Sequence, residues 1–549
     1  MARALVLALL VFTIPRAVCA QTLSVLHLKV ALADANGKVM PVPQHALLIT
    51  DNPQTVETRR VITGPDGTVD VRLRPGNYTV ESDHPVAFNG RAFEWVQHLD
   101  LVAGRDAVLE LTDRNARLAA DSLSGGATQS DPWIILPPRQ ESVVALWTET
   151  TRASGFVIDA QGLIATSQRA IGAATTAEVQ FTPDVKLAAT VLVSDSMRDV
   201  AILWVDPKAV AAIRPIALGC GQAAPAVVNG QDIFTIGAPL SQNKGITPGT
   251  VTRVGAQGMV SDFRIRHGGL GGPVFTADGS LVGITSPPNE TDDQDQIRLS
   301  DARVVRTSAA CEAVAAAEKK MTGAAAPSGT HLPVERTSPF PVAALKGAVQ
   351  GRAGSLNPYQ IASSDFDVAF ITPVLIYGVQ YQAEQMRDRT RTSGSRVIAT
   401  DQGIVRPLMD FRNWSEYVAD FPPVLLIRIT PKAAENFWTT VARGAAQTQG
   451  VAIPAIKRPK SAFSRLRAFC GDAEVTPIHP FKLEQRVGDR TFYEGLYVLD
   501  PGALGPQCGT VKLTLYSDKD PEKGDTRVVE PRVVDQIWRD FESYRASLH

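Results

Sequence analysis

The chain has 549 residues, a formal net charge of −1 and 44% apolar residues. That length exceeds what one hydrophobic core supports and calls for roughly two to four domains. The near-neutral charge argues against nucleic acid or an anionic membrane surface as the main partner. Past residue 20 no apolar run is long enough to span a bilayer.

Residues 1–20 read as a targeting segment. Arg3 supplies the positive start, Ala4 to Ile14 the short apolar stretch, and Val18-Cys19-Ala20 the small residues of a cleavage site. This expects a mature chain that begins at Gln21 and is periplasmic or secreted. Lipidation at Cys19 is the weaker reading, because Arg16-Ala17-Val18 lacks the leucine and the small residue expected before a lipidated cysteine. Four further cysteines, Cys220, Cys311, Cys470 and Cys508, permit three pairings in an exported chain. Cys220–Cys311 with Cys470–Cys508 is preferred, since each pair then stays within one proposed domain. No CxxC pair or nearby histidine supports zinc, so neither a metal nor a cofactor is expected.

Residues 22–115 carry short alternating runs. Leu26 to Val30 alternates as a half-buried strand, and Asp34 to Gly37 is a turn signal. Gly64-Pro65-Asp66-Gly67 separates two more alternating runs, Pro75-Gly76-Asn77 leads into another, and Val108 to Leu111 is the last. Strands at this spacing predict a small β-sandwich. The stretch from Gly64 to Val80 resembles the transthyretin-like, carboxypeptidase-regulatory sandwich, in which a DG turn is followed by PGxY. That resemblance implies a spacer or a binding module. His84 and His98 have no carboxylate or cysteine cluster around them and read as surface histidines. Residues 116–133, with Ser122 to Thr128, have the composition of a linker.

Residues 134–320 hold a series of segments in a recognisable order. Ser154-Gly155-Phe156-Val157-Ile158-Asp159 runs on through Gly162 to Ser167. Asp199 opens Val200-Ala201-Ile202-Leu203. Ile233 to Pro239 is followed by Gly245 to Val251. Gly268-Gly269-Leu270-Gly271-Gly272-Pro273-Val274 then precedes Gly279 to Ile284. Together they resemble the trypsin-like serine proteases of the HtrA kind, and the resemblance implies two six-stranded β-barrels with the site between them. The family's nucleophile loop reads Gly-x-Ser-Gly-Gly-Pro-Val, so Leu270 stands where the serine belongs. The family's Thr-x-x-His segment reads Thr166-Ser167-Gln168-Arg169, so Arg169 stands in place of the general base. The aspartate that orients that base matches Asp199 and is intact.

Leucine has neither a lone pair to attack a carbonyl nor a proton for a base to remove, and a guanidinium cannot accept a proton. No histidine lies between His98 and His267, so no shift of register restores a base in the first barrel. Loss of the serine or the histidine of such a triad removes on the order of a millionfold in rate. The expectation is a pseudoprotease that binds a protein or peptide. Gly268, Gly269, Gly271 and Gly272 would supply the peptide-binding loop, or would merely preserve a tight turn. An Arg169–Asp199 hydrogen-bonded pair would fill the old catalytic space. Two alternatives stand beside this. One is an atypical serine hydrolase with another nucleophile, such as Ser167 or Ser261 served by Lys244. The other is a structural envelope protein whose β-modules act as spacers.

Residues 321–340 read as a second linker and 341–549 as an α+β domain without a family motif, so the fold class is mainly β and multidomain. Val424 to Ile429 reads as a buried strand. Thr430-Pro431 is expected to open a helix that carries Phe437, Trp438 and Val441 on one face, with threonine as N-cap. Val511 to Tyr516 alternates as a strand. Val534, Ile537, Trp538, Phe541 and Tyr544 form a core-packing helical stripe. The basic run from Lys457 to Arg467 reads as a solvated loop.

Overall fold

The computed structural model describes residues 23–34, 37–118, 131–238, 244–255, 258–265, 268–287, 302–336, 338–350, 359–378, 381, 422–435, 457–487 and 490–546. Residues 1–20, expected to be a targeting segment, with Cys19 among them, and His267 lie outside the described residues. The chain divides into two compact units, Met1–Pro137 and Pro138–His549. The protein is mainly β and multidomain, and no helix among the described residues is long and apolar enough to cross a membrane.

The first unit is a β-sandwich. Strand β1 (Ser24–Ala33) pairs with β2 (Val39–Pro41), with β5 (Thr68–Leu73) and, in parallel, with β10 (Ala107–Leu111). The facing sheet runs in the order β4 (Arg59–Ile62), β3 (Ala46–Asp51), β6 (Gly76–Ser82), β9 (Val96–Leu101). A small sheet has the order β11 (Arg117–Leu118), β8 (Arg91–Glu94), β7 (Val86–Phe88), and its Val86, Phe88 and Phe93 join the core of the sandwich. Inward residues of the first two sheets, Leu26, Leu28, Val71, Leu47, Ile49 and Val80 among them, make one core around Trp95. The turn at Gly64 to Gly67 carries the chain from one sheet to the other rather than making a hairpin. Gly67, at φ 74°, lies where a Cβ would meet the Val30 carbonyl at 2.5 Å, so only glycine fits.

The second unit opens with two closed six-stranded barrels. The first holds β12 (Val143–Trp147), β13 (Arg152–Val157), β14 (Leu163–Thr166), β15 (Thr176–Thr182), β16 (Val185–Asp195) and β17 (Val200–Trp204). The second holds β18 (Asp232–Ile236), β19 (Ile246–Val254), β20 (Gly258–Ser261), β21 (Pro273–Thr276), β22 (Leu281–Ser286) and β23 (Ala302–Arg306). Each barrel encloses its own aliphatic core. A helix, Thr307–Met321, follows β23, and the Cys220–Cys311 disulfide fixes it to the segment before β18.

Residues 322–336 have no regular structure but are held in place. Leu332 N donates to Lys186 O at 2.8 Å, and Arg336 pairs with Asp500 at 2.9 Å. The rest of this unit is α+β. One sheet has the order β24 (Tyr359–Ala362), β25 (Phe366–Ile371), β26 (Leu425–Pro431), β32 (Arg490–Leu499), β31 (His479–Val487). A second has the order β30 (Ala473–Val475), β29 (Phe463–Cys470), β33 (Val511–Ser517), β34 (Asp525–Val528), and β27 (Ala433–Glu435) pairs with β28 (Lys457–Pro459). The Cys470–Cys508 disulfide ties the end of β29 to the turn before β33. From the terminal stripe, Val534, Ile537, Phe541 and Tyr544 enter the core.

Two local expectations are corrected here. Thr430 and Pro431 do not cap a helix, because β26 runs through both, opposite Asp367 and Phe366. The terminal pair of a strand tolerates a residue without an N–H, so the long-range pairing overrides the local capping signal. Phe437, Trp438 and Val441 lie outside the described residues. The basic run is not a solvated loop either, since it occupies β28 and the first half of β29. There Arg465 stacks over Tyr516 at 4.2 Å and Arg467 pairs with Glu474 at 2.6 Å.

Candidate functional site at the seam of the two barrels

Asp199 has a backbone φ of 57° and its side chain is fully buried at the start of β17. One carboxylate oxygen accepts from Ser167 Oγ at 2.8 Å and from the backbone N–H of Arg169 at 2.9 Å. The other accepts from Ser286 Oγ on β22, so the group bridges the barrels. Arg169 sits on the short helix Gln168–Ile171, which starts straight after Ser167. Its Nε lies 3.8 Å from Asp199 Oδ2. That is an ion pair and is too long for a hydrogen bond, so the hydrogen-bonded pair expected from the sequence is corrected to a Coulombic one. Two hydroxyls and one backbone amide donate to the carboxylate, and the guanidinium, about one-third exposed, adds its charge from the side.

Leu270 is half-buried and packs against the cores of both barrels. Its loop is pinned on each side. Ser154 N donates to Leu270 O at 2.7 Å, and Ser154 Oγ donates to Gly268 O at 2.8 Å while accepting from Ala238 N at 3.0 Å. Gly271 N donates to Thr285 O at 2.8 Å. A Cβ on Gly271, at φ 92°, would come within 2.2 Å of Ser154 O and 2.3 Å of Thr166 Oγ1. A Cβ on Gly272 would come within 2.2 Å of Ile236 O. Close approach of neighbouring strands therefore requires glycine at both places, whatever the loop binds. Gly268, at φ 83°, rests on the side chain of Arg152, and Gly269 Cα lies against Gly237.

Arg152 was not singled out in the sequence, although a charged residue opening a strand otherwise made of buried positions is a signal. It is buried, donates from Nη2 to Ala238 O at 3.0 Å, and stacks over Trp147 at 5.1 Å. Trp147 in turn packs against His479 of β31 at 4.3 Å. His479 Nδ1 lies 3.1 Å from Glu178 Oε2, and Nε2 lies 3.6 Å from Glu335 Oε1. Fully buried Lys186 pairs with the same Glu178 at 2.9 Å and donates to Ile478 O. Burial, reinforced by the Lys186 charge, holds the His479 imidazole down at about 4. Glu178 is held low by His479 and Lys186, which outweigh its own desolvation. A polar cluster thus joins the first barrel to the C-terminal sheet directly behind the Leu270 loop.

The nucleophile–base pairings considered from sequence are not brought together. Lys244 Nζ donates to Phe181 O at 3.2 Å, and burial lowers it to about 8. Ser167 is engaged with Asp199, and Ser261 Oγ donates to Ala302 O at 3.3 Å.

Double barrel, intervening seam and glycine loop together set the comparison with known proteins. Residues 153–284 match the trypsin-like peptidase domain family. The chain is similar to a probable periplasmic serine endoprotease, DegP-like, of Pseudomonas fluorescens. The two are 32% identical over 141 residues, which is 24% of this chain and 28% of the relative. It is also similar to the chloroplastic Protease Do-like 1 of Arabidopsis thaliana, 32% identical over 146 residues, 24% of this chain and 32% of that one. Among solved structures it aligns with the serine endoprotease from Yersinia pestis at 22% identity and a TM-score of 0.28, covering 34% of this chain and 65% of that one. The chain thus spans less than a third of the length of these two curated relatives.

Proposed function

We propose that this protein is an exported, trypsin-like double barrel without serine-peptidase chemistry of its own, and that it binds protein or peptide segments. One observation carries the reading: Leu270 packs on both barrel cores at the centre of the glycine loop, and Arg169 lies beside an Asp199 whose carboxylate oxygens accept from Ser167, Ser286 and the Arg169 amide. Neither replacement supplies a nucleophile or a proton acceptor, and no rearrangement of a leucine or a guanidinium would create one. Export is supported by the two disulfides, which persist in oxidising compartments, and by the periplasmic and chloroplastic names of the relatives. Binding of an extended segment is supported by the loop from Gly268 to Gly272, whose shape is fixed before any ligand arrives, and by the barrel edges beside it.

The test is fluorophosphonate labelling of the mature protein together with hydrolysis and binding of fluorescein-labelled unfolded casein. The expected outcome is binding without labelling or cleavage. Leu270→Ser alone is expected to remain unlabelled, because Arg169 still offers no base. Labelling of the unaltered protein that maps to one serine would replace this reading with that of an active hydrolase.

A further inference from the structure

Arg152 stands between the loop at the seam and the C-terminal sheet. It lies directly opposite Trp147 in the β12–β13 pair, so the two side chains share a face and the guanidinium stacks on the indole. Ser154, two residues further along β13, shares that face. Both side chains reach Ala238 of the second barrel: Arg152 Nη2 donates to its carbonyl at 3.0 Å, and Ser154 Oγ accepts from its N–H at 3.0 Å. Both also meet Gly268. Ser154 Oγ donates to the Gly268 carbonyl at 2.8 Å, and a Cβ on Gly268 would come within 3.2 Å of Arg152 Cδ and Nε. The loop therefore rests on the stem of Arg152, at a φ of 83° that favours glycine.

The other side of Trp147 belongs to the C-terminal sheet. Its ring packs on His479 at 4.3 Å and on Phe481 at 5.7 Å, within a core that includes Leu426, Ile478, Leu496 and Val498. His479, Trp147, Arg152 and Gly268 thus form one contiguous line from β31 to the seam. The line has a titratable end. His479 is buried, and charged groups face it from four elements: Arg152 of β13, Glu178 of β15, Lys186 of β16 and Glu335 in the segment 322–336. Burial, with the charges of Lys186 and Arg152, outweighs the attraction of Glu178, so the closed junction holds the imidazole neutral and acid favours an open one. In the open arrangement Arg152 loses the aromatic support beneath it, and the loop loses the stem on which it rests.

We infer that Arg152 is a positioning residue through which the C-terminal sheet sets the shape of the Gly268–Leu270 loop, so that closure of the junction and binding at the seam are coupled. The coupling to a ligand rests on the seam being the binding site proposed above. It is reciprocal: acid, which opens the junction, loosens the loop, and a seam ligand tightens the junction.

The test is hydrogen exchange of the full mature chain without ligand at pH 7 and pH 5, corrected for intrinsic rate. Ser154 N and Gly271 N, which donate to Leu270 O and Thr285 O, report on the loop, and Lys482 N, which donates to Glu149 O, reports on the junction. Val251 N, bonded to Gln231 O in the second barrel, is the control. On acidification the loop amides are expected to lose protection together with Lys482, by at least about fivefold, while Val251 holds. In His479→Gln neither loop nor junction responds. In Arg152→Met, which keeps much of the stem and removes the guanidinium, Lys482 still responds and the loop no longer follows. Loop amides that hold while Lys482 loses protection overturn the inference, as do a response of the loop in Arg152→Met equal to that of the unaltered protein, an equal fall at Val251, or no change at any site. If Arg152→Met misfolds, the unaltered protein and His479→Gln decide the matter. In a parallel experiment at pH 7, saturating unfolded casein is expected to raise protection of Lys482 in the unaltered protein and not in Arg152→Met. Casein that binds without changing Lys482 contradicts the coupling. Casein that does not bind refutes the seam as a binding site, and the ligand-free exchange then still decides whether Arg152 couples the sheet to the loop.

Discussion

Burial of His479 in a neutral state makes the junction between the first barrel and the C-terminal sheet sensitive to acid. The imidazole titrates at about 4 in the folded protein, against an ordinary value of 6.5. Its folded value is lowered, so the unfolded or opened state binds the proton first, and stability is lost as pH falls from 6.5 towards 4. Glu178, Lys186, Glu335 and Arg152 face the ring. Glu178 is itself held low, so it stays charged through most of that window. Between pH 7 and pH 5 the histidine alone accounts for about 2 kcal/mol, a factor of roughly 20 to 30 in the opening equilibrium. Hydrogen exchange, corrected for intrinsic rate, reads this locally from amides of β12 and β31, where Lys482 N donates to Glu149 O at 2.6 Å. Protection there is expected to fall by that factor in the unaltered protein, and by much less in His479→Gln. The comparison is of pH slopes, so a lower starting stability in the variant does not matter. If protection does not change with pH, or if His479→Gln loses as much as the unaltered protein, the reasoning is wrong.

Gly271→Ala places a methyl group within 2.2 Å of Ser154 O at a backbone φ of 92°. Overpacking and backbone strain together are expected to destabilise by about 3–5 kcal/mol, visible as a lowered thermal midpoint. Gly347→Ala, on the helix Val342–Gln350 with nothing within 4 Å, is expected to stabilise by about 0.5–1 kcal/mol, and equal effects at the two sites would contradict the packing argument. Cys220 and Cys311 close a span of 91 residues, so Cys220→Ser/Cys311→Ser is expected to lose up to about 4.5 kcal/mol. An unfolding midpoint unchanged in the double variant and under reductant would show that this link constrains little.

The double barrel was legible because its markers are local. The glycine–proline loop, the strand after Asp199 and the hairpin around Asp159 each lie within about ten residues, and each fixes its own backbone. Leu270 and Arg169 stand out against that frame for the same reason. The cluster behind the loop was not legible. Trp147, Glu178, Lys186, Glu335 and His479 are scattered over more than 300 positions, and nothing short-range in the chain announces that they meet. Thr430-Pro431 shows the opposite failure, in which a sound local capping signal yields to six paired residues of β25 and β26. The basic run misled because charge alone says nothing about the aromatic faces beneath Arg465 and Arg467.

Leu270 touches both barrel interiors at once. A serine there would remove a side chain that each barrel uses as filling, at about 1–3 kcal/mol, before it gained any partner in Arg169. The loop's central residue is thus a shared wedge, and any smaller side chain there is opposed by the packing of both barrels at once.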